Sequence, residues 1–269
     1  MGIRARLVLP VAVILSLTAC GGESSSGDTA SESPSAASSD GGLTGTLTVF
    51  AAASLTDVFG ELGDQLTADN PDLEVQFNFA GSLALATQIV QGAPADLFAS
   101  ANQPQMTVVT DEDLQAGEPE VLTENVLQIA VPAGNPAGVT GLSDFADEKL
   151  ALAVCAPDVP CGSAAEEVFE IAGVAAVPDT LEEDVRAALT KVELGEVDAA
   201  LVYASDIISA GDAVEAIEFP EAEEAVNEYP ITVLAEAPNP DAAQAFVDLV
   251  LSDEGQQTLE DAGFRAPAG

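Results

Sequence analysis

The sequence predicts an α/β protein folded into two lobes, and three observations support this fold class. Apolar runs typical of strands are followed repeatedly by helical patterns, an alternation that favours parallel α/β units. Hydrophobic residues make up 48% of the 269 residues, enough to form a core despite a net charge of −40. The predicted elements are also too many for one small sheet, so two lobes with a crevice between them are the simpler arrangement.

The predicted elements run in order from residue 46 to residue 262. The stretch 73–79 shows the clearest strand pattern, because apolar and polar residues alternate in it, while 46–52 and 199–203 are continuous apolar runs typical of buried strands. The strands are predicted at 46–52, 73–79, 96–100, 126–131, 150–155, 199–203 and 230–235. The helices, marked by apolar residues at helical spacing, are predicted at 54–66, 82–90, 163–172, 184–193, 241–251 and 254–262.

The N-terminus has the features of an export signal. Arg4 and Arg6 precede an apolar stretch over 7–19, which is too short for a membrane span of roughly 20 residues. The stretch ends in Leu-Thr-Ala-Cys20, which resembles a bacterial lipobox, a motif whose cysteine is acylated and becomes the new N-terminus. We therefore predict a lipoprotein signal peptide at 1–19 and lipidation of Cys20; an ordinary signal peptide before an incidental cysteine is the alternative.

A Ser/Gly-rich tether follows over residues 20–43. The segment 21–42 contains no large apolar residue, so it cannot fold by burial and would span roughly 25 Å as a coil. Removal of the signal peptide leaves four basic and 46 acidic residues, a net charge of −42. Nucleic acid is therefore excluded as a partner, since phosphate binding depends on clustered Lys and Arg.

The composition also excludes several chemistries. The chain has no histidine, which removes Ser-His-Asp and Cys-His catalysis and His-ligated metal sites, so we expect no enzyme. Cys155 and Cys161 lie in a domain predicted to be exported, which favours a disulfide between them. A zinc site would need further Cys or His ligands, and a free, reactive Cys161 is the remaining alternative.

Hydrogen-bond donors are predicted at five strand-to-helix junctions. Ser54 and Ser82 follow runs of small residues, the segment 160–163 precedes a helix expected to begin near Ala164, the segment 183–186 opens another helix, and Tyr203 ends a strand. Each serine alone is more typical of a plain helix cap. Together, unpaired N–H groups at helix starts and neighbouring hydroxyls favour an anion site.

Five motifs in this order resemble the molybdate-binding proteins of bacterial ABC transporters. They are VFAAASLTD at 49–57, FAGSLALATQI at 79–89, GAPADLFAS at 92–100, DVRAAL at 184–189 and LVYASD at 201–206. The resemblance extends over 44–267, essentially the whole predicted folded region.

The resemblance implies a two-lobed solute-binding protein fold, the type II periplasmic binding protein, in which the chain crosses between the lobes twice. Lobe 1 would comprise 44–125 and 229–269, and lobe 2 would comprise 126–228. A hinge would close the lobes over a bare tetrahedral oxyanion.

The resemblance also implies a role for each of the five junction residues. Ser54 and Ser82 would donate from their hydroxyls and backbone N–H groups, Cys161 and Val185 from their backbone N–H groups, and Tyr203 from its phenol. The family commonly has alanine where this chain has Cys161; a backbone donor tolerates that change, and a disulfide would set the direction of the N–H group.

The predicted function is that of a monomeric extracytoplasmic receptor for molybdate, and for tungstate, without a cofactor and without any metal other than that of the oxyanion. It would deliver the ligand to an ABC permease from the outer face of the cell membrane, held there by its lipid anchor. Arg186 is expected to form an ion pair with an acid rather than contact the ligand.

Three alternatives remain open on the sequence alone. One is a receptor of the same fold for sulfate, ferric iron or an organic acid, although iron sites of this class favour tyrosine clusters and only Tyr203 and Tyr229 exist. The others are a secreted enzyme and an acidic cell-wall structural protein.

Overall fold

The computed structural model describes residues 42–267. The predicted signal peptide at 1–19, the lipidation site Cys20 and almost all of the tether lie outside the described residues. Within 42–267, no helix combines the length and the apolar character that a membrane crossing requires.

The described chain forms two five-stranded sheets. The first sheet, with the helices packed on it, is called lobe 1, and the second lobe 2. The strands are β1 Gly45–Ala52, β2 Leu73–Ala80, β3 Leu97–Ala99, β4 Glu120–Asn125 and β10 Asn227–Val233 in lobe 1, and β5 Leu127–Pro132, β6 Leu152–Cys155, β7 Thr180–Glu182, β8 Ala199–Tyr203 and β9 Val214–Ile217 in lobe 2.

Both sheets have the same arrangement of strand directions. The order is β2-β1-β3-β10-β4 in the first and β7-β6-β8-β5-β9 in the second. In each sheet, the first three strands are parallel to one another. The fourth strand runs antiparallel to them, and the fifth strand pairs antiparallel with the fourth. The chain passes between the sheets twice, from β4 to β5 and from β9 to β10, which confirms the predicted fold class.

In the part of the chain that the structure describes, eight α-helices cover the sheets and bury their apolar faces. Large aromatic side chains anchor both cores: Phe59 packs edge-on against Phe246 at 5.2 Å between ring centroids in lobe 1, and Phe145 lies 5.5 Å from Phe169 in lobe 2. The helices are α1 Thr56–Asp69, α2 Ser82–Val90, α3 Gln103–Thr110, α7 Pro240–Leu251 and α8 Asp253–Asp261 in lobe 1, and α4 Pro160–Ala172, α5 Val185–Glu193 and α6 Ala204–Ala210 in lobe 2.

The start of α4 differs from the prediction. The helix begins at Pro160 rather than near Ala164, because proline at the first position has its φ angle preset for the helix and lacks only an N–H that would have no helical partner. Cys161 therefore lies inside the first turn instead of before it. The adjoining loop is tight, since a Cβ atom on Gly162 would lie 1.7 Å from the carbonyl oxygen of Ala156.

The predicted disulfide is confirmed. Cys155 ends β6 and pairs with Cys161 in the first turn of α4, with the two Cα atoms 5.6 Å apart. Both cysteines are buried. The bond thus ties the end of a central strand of lobe 2 to the start of the helix that follows it.

Candidate functional site

One cavity between the two lobes is lined by all five of the predicted donor residues. Each of the five is at most 4% exposed. The remaining lining residues are small or apolar, with one exception, Asp184. The full lining is Ala52, Ala53, Ser54, Ala80, Gly81, Ser82, Ala101, Val159, Pro160, Cys161, Asp184, Val185 and Tyr203.

The two serines of lobe 1 do not cap helices, so the plain-cap interpretation is wrong for both. Ser54 lies in a 3₁₀ turn, Ala53–Leu55, between β1 and α1, and its Oγ lies 2.9 Å from the Tyr229 hydroxyl. Ser82 is the first residue of α2, and its Oγ accepts the backbone N–H of Ala101 at 3.0 Å. Because the Ser82 Oγ is an acceptor in that bond, its own proton is available to donate elsewhere.

Lobe 2 contributes backbone N–H groups at two helix starts. Cys161 lies in the first turn of α4, and Val185 is the first residue of α5, so neither N–H has a partner within its helix. Asp184 caps α5 by accepting the N–H of Ala187 at 2.9 Å, which leaves the Val185 N–H uncapped. Anions bind favourably at such positions, because the N–H groups and the helix dipole both favour negative charge.

Tyr203 ends β8 with its hydroxyl fully buried, and within residues 42–267 that hydroxyl makes no hydrogen bond of good geometry, only a weaker one with the Tyr229 hydroxyl. Burial raises the pKa of Tyr203 well above its ordinary value, and the nearby Tyr229 and Asp206 raise it further. The phenol therefore stays protonated and can act as a donor. A buried hydroxyl without a well-placed partner is unfavourable by about 1–3 kcal/mol, so a ligand acceptor in the cavity would relieve this penalty.

No basic residue is among those that line the cavity. Arg186, next to Val185, instead forms ion pairs with Asp57 of lobe 1 and with the buried Asp206 of lobe 2, as the sequence predicted in general terms. Its Nη1 also donates to the Ser209 hydroxyl at 2.8 Å. The donors that face the cavity are consequently neutral.

Asp206 lies beside the site rather than in it. Its Oδ2 accepts the backbone N–H of Tyr203 at 3.0 Å, and burial raises its pKa to about 7 even though Arg186 and this hydrogen bond lower it. The carboxylates of Asp57 and Asp184 also raise its pKa. Asp206 thus couples the end of β8 to the guanidinium of Arg186.

The cavity is small. The centre of a water-sized sphere can move through about 20 Å³ of it, only slightly more than the 10–15 Å³ that one water needs. A sugar or a peptide does not fit this space unless the lobes separate widely, whereas a compact ligand needs only a small separation. The close approach of the lobes shows at Gly81, where a Cβ atom would lie 2.4 Å from the Glu183 carbonyl oxygen.

Sequence reasoning missed the residues that support the donors. On the sequence alone, Tyr229 is only a possible iron ligand, yet its side chain is fully buried and its hydroxyl lies next to Ser54. No local pattern indicates Tyr229, since it reaches the site from a strand 175 residues away in the chain. Asp184 could have been found as a helix cap by its position before an apolar-periodic segment.

Comparison with known proteins agrees with this architecture. The family model of bacterial extracellular solute-binding proteins matches residues 47–265. The chain is 40% identical over 255 residues to the molybdate-binding protein ModA of Mycobacterium tuberculosis strain H37Rv, a match that covers 95% of each chain.

Two solved structures share the fold at lower identity. The Azotobacter vinelandii periplasmic molybdate-binding protein matches with a TM-score of 0.72 and 19% identity, over 82% of this chain and all of the other. The sulfate-binding protein SubI from M. tuberculosis H37Rv matches with a TM-score of 0.68 and 18% identity, over 82% and 86% of the two chains. The chain belongs to the bacterial extracellular solute-binding protein family.

Proposed function

We propose that this protein binds molybdate, and also tungstate, outside the cytoplasm and delivers it to an ABC importer. The observation that carries the proposal is the cavity in which neutral donors from both lobes converge and no cation takes part. The 40% identity to a molybdate-binding protein over nearly the whole chain supports the same ligand. In this role the protein binds and releases its ligand without catalysis.

Neutral donors can hold a dianion even in a strongly acidic protein. Repulsion from surface carboxylates is screened over about 8–10 Å in physiological salt. At contact, each hydrogen bond to a charged group contributes roughly 1.5–3 kcal/mol, so two serines, two helix starts and a phenol can offset the desolvation of the ligand. Only the surplus appears as affinity.

Donor-only chemistry also makes the site selective for oxyanions that carry no proton. Hydrogen phosphate would turn its O–H toward a donor and leave both groups without an acceptor, which is a strong mechanism of rejection. The carboxylate of Asp184 is the one charged acceptor in the lining, and one of its oxygens already caps α5. Sulfate carries no proton but is smaller than molybdate, so it would fill the donor shell poorly.

Ferric iron fits the cavity less well. Of the two tyrosines, only Tyr203 lines it, while Tyr229 is engaged with Ser54 behind the wall. Within residues 42–267, no group of three or more Cys, Asp or Glu side chains is arranged to hold a metal ion. The sulfate and iron alternatives therefore become outcomes of the binding test.

Calorimetry on the tag-free chain without its first 20 residues, with molybdate, tungstate, sulfate and phosphate in turn, tests the proposal. Tight binding of the first two and weak binding of the others is expected. Binding of ferric ion or sulfate in preference to molybdate would contradict the assignment.

The donor residues can be tested one at a time. Ser54→Ala and Ser82→Ala should each weaken molybdate binding by about 1–3 kcal/mol without unfolding the protein. Ser143→Ala is the matched control, since that side chain is exposed and is not among the residues that line the cavity. Equal affinities for all three variants and the unmodified protein would argue against the site.

We further propose that the protein is a monomer held at the outer face of the cell membrane through lipidated Cys20. The support is the lipobox-like sequence before Cys20 and the family's extracellular character. Cell fractionation of a Cys20→Ala variant should find the protein in the medium or the soluble extracytoplasmic fraction. Retention at the membrane would contradict the lipid anchor.

A further inference from the structure

A buried chain of hydrogen bonds lies behind Ser54, on the side away from the cavity. It contains Asn125 at the end of β4, Tyr229 in β10 and the hydroxyl of Ser54, and all three side chains are at most 4% exposed. The pairing of β10 with β4 shifts register between Tyr229 and Pro230, an irregularity of the kind that re-aims side chains. The direction of the bonds in this chain decides what Ser54 can do in the cavity.

Asn125 fixes the first direction. Its Oδ1 accepts the backbone N–H of Val126 at 3.0 Å, so its Nδ2 is the group that faces the interior, where it donates to the Ser205 hydroxyl at 2.8 Å. The same side chain hydrogen-bonds the Tyr229 hydroxyl, as do the hydroxyls of Ser54 and Tyr203, and of these groups Asn125 presents an N–H that can only donate. Burial raises the pKa of Tyr229 far above its ordinary value, so the phenol keeps its proton.

A phenol that accepts from Asn125 still has its own proton to place. The nearest partner for it is the Oγ of Ser54, 2.9 Å away. If Tyr229 donates this bond, Ser54 accepts it and its own proton turns toward the cavity. If Ser54 donated instead, its proton would point into the protein and the hydroxyl would offer the ligand no donor.

We propose that Tyr229 is a positioning residue that makes Ser54 a donor to the ligand. The proposal rests on the proposed function, because it assigns a direction to one of the site's hydrogen bonds. Ser82 shows the same principle with a different partner: it accepts the backbone N–H of Ala101, which leaves its proton for the cavity. Both serines of lobe 1 are thereby set as donors, which favours an oxygen without a proton at each.

A double-mutant cycle tests the coupling between Tyr229 and Ser54. Molybdate affinity is measured by calorimetry for the unmodified protein, Tyr229→Phe, Ser54→Ala and the double variant. Tyr229→Phe should weaken binding about tenfold in the unmodified background, and less than about twofold when Ser54 is already alanine. Equal losses in both backgrounds would overturn the proposal, since Tyr229 would then act through packing.

Phe264→Leu is the control for packing around Tyr229. The Phe264 ring packs edge-on against the Tyr229 ring, with 5.6 Å between their centroids. Phe264 has no hydroxyl, so it contributes packing but no hydrogen bond. This variant should lower the melting temperature and leave molybdate affinity within about twofold. A tenfold loss of affinity in Phe264→Leu would show that disturbed packing alone explains the effect of Tyr229→Phe.

A spectroscopic measurement keeps the test independent of folding defects and of the ligand. The chain has two tyrosines and no tryptophan, so in a Tyr203→Phe variant Tyr229 is the sole tyrosine. Ultraviolet resonance Raman spectra, which distinguish donating from accepting phenols, should show a Tyr229 hydroxyl that donates in the ligand-free protein, and this signature should persist with saturating molybdate. A phenol that only accepts would overturn the proposal even if molybdate binds. Failure of the unmodified protein to bind molybdate would instead contradict the proposed function.

Discussion

The two lobes share one strand order but bring different chemical groups to the cavity. After the central strand of the parallel trio, lobe 1 places Ser54 and lobe 2 places Cys161; after the neighbouring strand, lobe 1 places Ser82 and lobe 2 places Val185. The serine hydroxyls of lobe 1 are oriented by partners behind them. In lobe 2 the donors at these two positions are backbone N–H groups, oriented by the helices that begin there.

This difference shows two ways to build a donor of fixed direction. A hydroxyl rotates, so it needs a second group to fix its proton, and lobe 1 supplies Tyr229 and the Ala101 N–H. A backbone N–H at a helix start points along the helix axis by construction, so its side chain is free to vary. The side chain of Cys161 is therefore not needed as a donor, and its sulfur forms the disulfide with Cys155 instead.

The lobes also differ in the hydrogen bonds that each gives to a buried carboxylate. A substitution at the carboxylate of lobe 2 is expected to have the largest effect on stability. In lobe 1, Asp96 accepts two backbone N–H groups, from Thr48 at 2.7 Å and Asn239 at 2.5 Å. In lobe 2, Asp206 accepts one, from Tyr203, and its pKa is raised from 3.8 to about 7 mainly by burial. The folded protein thus binds a proton at Asp206 between about pH 4 and pH 7 that the unfolded chain has lost.

We therefore expect Asp206 to make the free energy of unfolding fall as pH rises from about 4 to 7, by an amount of the order of 4 kcal/mol, and to have no further effect above pH 7. Asp206→Asn should remove this decline, as measured by urea unfolding across that range. Asp212→Asn, an exposed acid just after α6, is the control for the change in net charge. Parallel pH profiles for the unmodified protein and Asp206→Asn would contradict the prediction.

Contact between the lobes can be broken at Gly81, whose φ of −58° suits any residue. In Gly81→Ala, the new Cβ atom would lie 2.4 Å from the Glu183 carbonyl oxygen of the other lobe. Such overpacking costs about 1–3 kcal/mol, so molybdate affinity measured by calorimetry should fall roughly 5- to 150-fold.

The matched control is Gly60→Ala in α1, where an added Cβ atom meets nothing within 4 Å. This variant should bind normally and gain about 0.5–1 kcal/mol of stability from better helix propensity. Unchanged affinity in Gly81→Ala would mean that the lobes do not approach this closely around the ligand.

Each lobe has one tyrosine near the cavity, and replacing it with phenylalanine should have opposite effects on the stability of the protein in the two cases. Tyr203→Phe removes a buried hydroxyl that lacks a hydrogen bond of good geometry, so the ligand-free protein should gain about 1 kcal/mol of unfolding free energy while molybdate binding weakens by about 1–3 kcal/mol. Tyr229→Phe removes a hydroxyl that is bonded to Ser54, so unfolding free energy should fall by about 1 kcal/mol. Calorimetric melting of both variants checks the signs; loss of stability in both would mean that the Tyr203 hydroxyl has a well-placed partner in the ligand-free protein.

Sequence reasoning recovered the elements whose apolar pattern is strong and missed those whose pattern is weak. The α/β alternation and the long helices were predicted correctly. The three-residue strand β7 was missed because its central Leu181 is 56% exposed, so no buried run marks it. The strands β4 and β9 carry exposed glutamates within short segments, and their places in the sheets depend on tertiary pairing.

The residues of the candidate site likewise fall into some that the sequence predicts and others that it does not. The five residues predicted as donors all line the cavity; each lies at a strand end or a helix start, and all but Cys161 lie within the family motifs. Their supporting groups were not predicted, since Tyr229 and Asn125 reach Ser54 through contacts between distant strands. Local spacing contains no signal for such contacts, and only the packed structure brings the residues together.

The smallest effect is expected where the lobes meet at the surface. Arg186 of lobe 2 pairs with Asp57 of lobe 1, whose side chain is 61% exposed, and Asp57 also accepts the Ser209 hydroxyl at 2.6 Å. Exposed ion pairs contribute about 0.2–1 kcal/mol, and salt screens them, so Asp57→Asn should weaken molybdate binding no more than about fivefold, and less at 1 M NaCl. Asp64→Asn makes the same charge change two turns further along α1, at an exposed position, so it should leave affinity unchanged. If both variants shift the affinity equally, the effect arises from net charge rather than from a contact that holds the lobes together.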